Sequence, residues 1–415
     1  MVNQKEYFYL GADRLDGVAY DVRNPKMIEA AEEIEKQIKA NQESKKVHYW
    51  NIGNPPFFGI KIPRDIEKKI KELETDYRYT RAQGLPEVIE EIFQYHLNQG
   101  VIGLKRGHIF GTDGVSAGME MLSKGIINVG DEVLIPAPNY PNWRLNFQTS
   151  DAISIYYKCD EQSKWYPDVR DIRKKVTPKT KAILVINPNN PTGAVYPREI
   201  LEQIIQIARE NKIIIFSDEI YSEMLYDGAE HVPMASLADD VLIITLNGLS
   251  KNRLLPGIRS AWIAISGDTA HAENLINKIS LLASSKLCPN IVGQLAIPIV
   301  LPRHDYLKEL IVPGGRLYDQ VTKAHHLISQ IPGLSCVKPQ AAMYLYVKID
   351  EKFHIPDDEQ FVLNLLKKER VYVVQSSGFD DFSQPRHFRV VCLAPVHEFE
   401  EGMARIASFI EKYQP

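Results

Sequence analysis

The chain has 415 residues, 44% hydrophobic and 25% charged, with a formal net charge of -4 at pH 7. This is an ordinary globular composition, and it excludes the strongly basic surface that nucleic acid or an anionic membrane selects. No apolar run reaches the ~18 residues that a membrane span needs, and the four cysteines lack CxxC spacing, which points to a reducing compartment and argues against structural zinc.

The opening text, MVNQKEYFYLGADRLDG, has no continuous apolar stretch, so no signal peptide is read and a cytoplasmic location is expected. Residues 1–60 read as an N-terminal arm and part of a small domain. They contain one helical stretch, IEAAEEIEKQIKA, and end in the Gly/Pro/Asn loop NIGNPPFFGI. From 61 to 305 seven apolar runs predict strands: HIFGT, EVLIPAP, ISIYY, KAILVIN, KIIIFSD, VLIITLN and AWIAIS. Amphipathic stretches such as EILEQIIQIARENK separate several of them. This alternation predicts an α/β fold with a mainly parallel sheet covered by helices on both faces. From 306 to 415 the pattern becomes a long helix (LYDQVTKAHHLISQI), short strands (MYLYVKI, VYVV, HFRVVCL) and a final helix, a smaller α+β domain completed by the N-terminal residues.

Ligands of open parallel sheets sit at the carboxyl ends of the strands. There HIFGT runs into Asp113-Gly114-Val115-Ser116, KAILVIN into NPNNPTG (187–193), KIIIFSD ends at Asp218 with Tyr221 three residues on, and VLIITLN ends near Lys251, with Arg259 one loop later. Singly, each has a bland reading as a helix cap, turn former, solvated lysine or surface ion pair. Jointly they suit one ligand. The helix start at Gly114–Ser116 with Arg259 suits a phosphate. Asp218 suits a protonated pyridine nitrogen, Asn190 and Tyr221 suit a ring oxygen, and Lys251 suits an aldehyde as its Schiff-base amine. That ligand is pyridoxal 5′-phosphate (PLP).

NIGNP (51–55), Tyr79 before AQG, PAPNYP (136–141), NPNNPTG, SDEIY (217–221), NGLSK (247–251), Pro256-Gly257-Ile258-Arg259 and HFRV (387–390) follow in order along the chain. With them the sequence resembles the class I and II aminotransferases of PLP fold type I, and within them the bacterial glutamate–pyruvate (alanine) group. The resemblance implies a large PLP-binding domain with a mainly parallel seven-stranded sheet plus the smaller domain. It implies that Lys251 holds the cofactor and moves the substrate proton, and that Tyr140 stacks on the ring. Gly114, Val115, Ser116, Ser250 and Arg259 take the phosphate, and Arg389 takes the substrate α-carboxylate with help from Gly53 and Asn190. Tyr79 reaches the cofactor phosphate of a neighbouring subunit, so a homodimer with shared sites is implied. The substrates are an amino acid and a 2-oxo acid, here alanine or glutamate with pyruvate or 2-oxoglutarate, exchanging an amino group in two half-reactions.

Some positions depart from the family text. Asn252-Arg253-Leu254-Leu255-Pro256 follows the lysine, and Ala261 and Ala341 stand where glycine is common. Arg253 is open between a ligand for a substrate acid and a surface residue. Two alternatives stay open: a PLP transaminase, lyase or oxidase acting on a specialised amino acid, and a domain that holds PLP without turnover. A nicotinamide site is disfavoured by the lack of GxGxxG after a strand.

Overall fold

The computed structural model describes residues 12–15, 20–43, 45–381 and 386–413. Residues 1–11 of the expected N-terminal arm lie outside the described residues. The strands in chain order are β1 (His48–Tyr49), β2 (Ile109–Thr112), β3 (Glu132–Ala137), β4 (Ile153–Asp160), β5 (Tyr166–Pro167), β6 (Thr180–Ile186) and β7 (Ile214–Asp218), then β8 (Ile243–Gly248), β9 (Ala261–Ser266), β10 (Leu334–Cys336), β11 (Tyr344–Ile349), β12 (Val371–Tyr372), β13 (Val374–Gln375) and β14 (His387–Val391).

All seven apolar runs of the central region form strands of one sheet, in the order β2-β9-β8-β7-β6-β3-β4-β5. Neighbours from β8 through β4 pair in parallel, and β9 runs antiparallel to both β8 and β2. An eighth strand, β5, adds a two-residue antiparallel edge on β4. Side chains alternate across the sheet. Val133, Ile135, Leu184, Ile186, Phe216, Ile244 and Ile263 enter one buried cluster. Leu134, Ile183, Val185, Ile215, Ile243 and Ala264 enter the other. A sheet buried on both faces needs apolar residues at every position, which is why these strands read as continuous apolar runs.

The C-terminal region holds an antiparallel sheet, β10-β11-β14-β13, in which Tyr346 lies opposite Arg389. N-terminal residues pack against this part. β1 pairs in parallel with β12, and the helix Pro25–Asn41 packs on the helix Asp358–Glu369, with Lys26 Nζ 2.8 Å from Glu359. No helix among the described residues is long and apolar enough to cross a membrane.

Candidate active site

The carboxyl ends of β2, β6, β7 and β8 and the Arg389 strand β14 meet around a cavity of about 620 Å³. Its walls carry Val115, Ser116, Tyr140, Asn190, Asp218, Tyr221, Ser250, Lys251, Arg259, Gly53 and Arg389. Gly114 stands beside Arg259 at the same end. Eleven of the predicted positions therefore line one space, although they come from segments hundreds of residues apart. Tyr79 does not join them: it is 76% exposed on the single chain and outside the cavity.

At one end lies an anion cup. The helix Val115–Ile126 starts after Gly114, whose φ is +87°. Glycine adopts that conformation freely, and here the missing side chain also matters: a Cβ on Gly114 would lie 2.0 Å from Arg259 Nη2. The guanidinium thus lies against the bare backbone at the helix start, where free N–H groups and the helix dipole favour an anion. Its protein partners are neutral carbonyls, Pro256 O at 2.9 Å and Asp113 O at 3.4 Å, and among the described residues it pairs with no carboxylate. Ser116 is exposed to the cavity.

At the centre, Asp218 ends β7 and is 2% exposed. Its Oδ2 accepts from Trp143 Nε1 at 2.9 Å and its Oδ1 from the Ile220 N–H at 3.3 Å. Desolvation nevertheless pushes its pKa up to about 6, because no cation offsets the burial. Lys251 sits on the four-residue helix Leu249–Asn252, and its Nζ donates to Gly53 O at 2.5 Å. Burial, with the nearby positive charges of Arg389 and Arg259, lowers its pKa, and the neighbouring Tyr344 phenol opposes this. A lysine held this way loses its proton more readily and becomes a nucleophile.

At the far end, Arg389 is 2% exposed. Its Nη1 donates to Asn190 Oδ1 at 3.0 Å and its Nη2 to Asn51 O, so two of its five donors are spent. Nε has no partner. The bond from Arg389 uses the Asn190 carbonyl oxygen and leaves its amide N–H₂ as a donor. The guanidinium lies 4.5 Å from the Tyr344 ring centroid and 4.6 Å from that of Phe379, which hold it by cation–π attraction. The Tyr140 hydroxyl bonds Tyr20 at 2.7 Å.

These groups fit PLP. The buried Asp218 lacks a cation, Lys251 is a nucleophilic amine, and the cup at Gly114 and Arg259 is built around a space that a Cβ would fill. Among the described residues no group of three or more His, Cys, Asp or Glu is arranged to hold a metal ion.

Sequence reasoning missed Tyr20, Arg23, Met119, Asn142 and Tyr344, which also line the cavity, and Trp143 beneath Asp218. Tyr344 lay hidden in an apolar strand pattern; the aromatic run NYPNW was the available signal for Trp143. Both readings of Arg253 are corrected. It is 1% exposed, so it is no surface residue, and it is absent from the cavity wall. Its donors go to Glu223 Oε2 at 2.6 Å, Val300 O at 3.1 Å, Leu301 O at 2.7 Å and Asn252 O at 3.0 Å. Ala261 faces Gly248 across the β8–β9 pair, where a Cβ on Gly248 would meet the Ala261 Cβ at 2.6 Å. The Ala261 methyl is thus accommodated by a glycine opposite.

The profile of the family "Aminotransferase class I and II" matches residues 45–406. The chain is 42% identical to glutamate-pyruvate aminotransferase AlaA of Haemophilus influenzae, over 97% of this chain and 98% of that protein. It is 37% identical to the alanine aminotransferase of Mycobacterium tuberculosis, over 99% of this chain and 95% of that protein. The crystal structure of an aminotransferase from Escherichia coli superposes with a TM-score of 0.93 at 41% identity, covering 98% of this chain and 99% of that one.

Proposed function

This chain belongs to the class I and II aminotransferases, PLP-dependent enzymes, and we propose that it exchanges an amino group between L-alanine and L-glutamate and their 2-oxo acids. The cations of the cavity wall carry this reading: Lys251, Arg259, Arg389 and Arg23. Lys251 and Arg259 face the cofactor's aldehyde and phosphate. Arg389 takes the α-carboxylate with its unspent donors as a fork, alongside the Asn190 amide and Gly53. That leaves Arg23, exposed to the cavity, for the second carboxylate of glutamate or 2-oxoglutarate, while alanine and pyruvate leave it to water. The names of the relatives at 42% and 37% identity support the same substrate pair.

PLP, when bound, supplies a pyridinium ring that stores the electron pair left as the α-proton departs. Asp218 holds the ring nitrogen protonated as an ion pair. Tyr221 and Asn190 donate to the ring oxygen, and Tyr140 packs on the ring face. Gly114, Val115, Ser116 and Ser250 hold the phosphate with Arg259. Lys251 Nζ would take the proton from the substrate α-carbon and carry it during the exchange. Arg389 keeps the α-carbon over that amine. We place these elements in an arm and partial small domain at 1–60, a large domain at 61–305 and a small domain at 306–415. The active unit is a homodimer in which Tyr79 reaches the neighbouring cofactor phosphate; the 76% exposure of Tyr77 and Tyr79 on one chain supports this. Four free cysteines suit the cytoplasm.

The test is a visible spectrum of the PLP-loaded protein. L-Alanine or L-glutamate converts the bound cofactor to its aminated form, and pyruvate or 2-oxoglutarate reverses this. Arg23→Gln raises KM for glutamate by about five- to thirtyfold, the effect of ~1–2 kcal/mol, and leaves alanine near its original value. Product formed over many turnovers without any 2-oxo acid, or only in air, overturns transamination in favour of a lyase or oxidase.

A further inference from the structure

The structure gives the Tyr221 hydroxyl one hydrogen-bond partner among the described residues, Tyr344 Oη at 2.6 Å. Both rings are buried, 3% and 2% exposed, and they meet edge to face with centroids 5.8 Å apart. Two phenols that share one hydrogen bond have one proton to spare. When Tyr344 donates to Tyr221, the Tyr221 proton has no protein acceptor and is free for a ligand.

Tyr344 is fixed from three sides. It opens β11, two residues before Tyr346, the partner of Arg389 in register, so its ring lies on the same face of the sheet as Arg389. The Arg389 guanidinium sits 4.5 Å from its ring centroid. At its other end a Cβ built on Gly53 would lie 2.6 Å from Tyr344 Oη, so the hydroxyl takes the place of a Gly53 side chain. The same Gly53 accepts Lys251 Nζ through its carbonyl. One phenol thus contacts the ring-oxygen donor, the carboxylate-binding arginine and the loop that holds the lysine.

We propose that Tyr344 is a positioning residue that aims the Tyr221 proton at the ring oxygen of the cofactor and strengthens that hydrogen bond. This rests on the reading of Tyr221 given above. A hydroxyl that accepts one hydrogen bond becomes a better donor in the next, by roughly 10–30% per bond. A donor at the ring oxygen stabilises its negative charge most when the Lys251–PLP linkage is unprotonated. Losing the donor therefore raises the pH at which the linkage loses its proton, which the visible absorbance of the bound cofactor reports.

The experiment titrates the visible absorbance of three loaded variants, Tyr221→Phe, Tyr344→Phe and the double variant. Tyr221→Phe raises the midpoint by about one to two pH units, the scale of one charge-assisted hydrogen bond. Tyr344→Phe raises it by about 0.2–0.5 unit, the cooperative share of that bond. In the double variant the second change adds nothing. If Tyr221→Phe moves the midpoint and Tyr344→Phe does not, the inference is overturned and the Tyr221 reading stands. A Tyr344→Phe shift that adds in full to that of Tyr221→Phe overturns action through Tyr221. If neither variant moves the midpoint, the Tyr221 reading fails and the inference falls with it.

Discussion

Asp218→Asn separates what the cofactor site does for the fold from what it does for the ligand. The Asp218 carboxyl is raised from 3.8 to about 6 in the folded chain, chiefly by desolvation, with Trp143 and the Ile220 N–H opposing. A raised carboxyl contributes stability that is complete below the unfolded pKa of 3.8 and lost as pH rises through about 6. The shift of about two pH units is worth about 3 kcal/mol at 1.36 kcal/mol per unit. The residue is buried, so solvent screening removes little of this. Asparagine is neutral at every pH and its carbonyl still accepts from Trp143. The pH-dependent part of the stability therefore favours the PLP-stripped Asp218→Asn chain over the original, by about 3 kcal/mol at pH 8 and roughly half that at pH 5. With PLP bound the order reverses at pH 8, because the pyridinium is the cation that the buried carboxylate lacks. Denaturant unfolding of the stripped and loaded forms at the two pH values measures this. A difference between the stripped forms that is equal at pH 5 and pH 8 would refute the claim that Asp218 is an unpaired buried acid awaiting a cation.

Three further changes have expected outcomes. Gly114→Ala places a methyl where Arg259 Nη2 lies 2.0 Å away and forces alanine to φ near +87°; PLP affinity falls about ten- to hundredfold, the loss of one charge-assisted contact, read by titrating the stripped protein with PLP. Arg389→Lys keeps the charge and loses the fork; KM for both the amino acid and the 2-oxo acid rises by about ten- to hundredfold, and an unchanged KM in either half-reaction rejects the carboxylate role. Arg253→Met takes the guanidinium from Glu223, which keeps its bond from the Tyr95 hydroxyl, and from the Leu301 carbonyl; the chain loses about 1–3 kcal/mol of stability, while KM below the melting temperature stays within about twofold because the residue is off the cavity wall.

Much of the fold was legible because burial on both faces of a parallel sheet leaves a plain record. Ile183 and Leu184 point to opposite faces and both must be apolar, so KAILVIN could be read without any alternation. The edges were not legible. Two residues at Tyr166–Pro167 and three at Leu334–Cys336 are too short to show a period, and they exist because a neighbouring strand offers free backbone groups. The cofactor end of the site was legible because turns at strand ends demand Gly, Pro, Asn and Asp, which stand out in text. Tyr344 did not stand out: its ring serves a strand as well as any apolar residue, and only its hydroxyl, 2.6 Å from Tyr221, has chemistry. Tyr20 and Arg23 precede the first helix with no periodic pattern around them, and they reach the cavity through tertiary packing alone.

Arg253 shows most directly why nearness in sequence misleads. Successive helical residues turn by about 100°, so the second residue after Lys251 points roughly 200° away from it. On the short helix Leu249–Asn252 and its C-cap Arg253, the side chain that faces the cavity is therefore Lys251, and the one that faces the protein interior is Arg253. There it joins the carbonyls of Val300 and Leu301 at the end of the helix Ile291–Val300, whose first turn reaches the anion cup: Asn290 N donates to Asp113 Oδ1 at 2.8 Å and Asn290 Nδ2 to Ile258 O at 3.2 Å. The same helix thus braces the lysine segment at one end and the Arg259 segment at the other. Arg253 anchors the segment that carries Lys251 and stays off the cavity wall. A change of reaction would need new chemistry on the cavity wall, and Arg253 supplies none there.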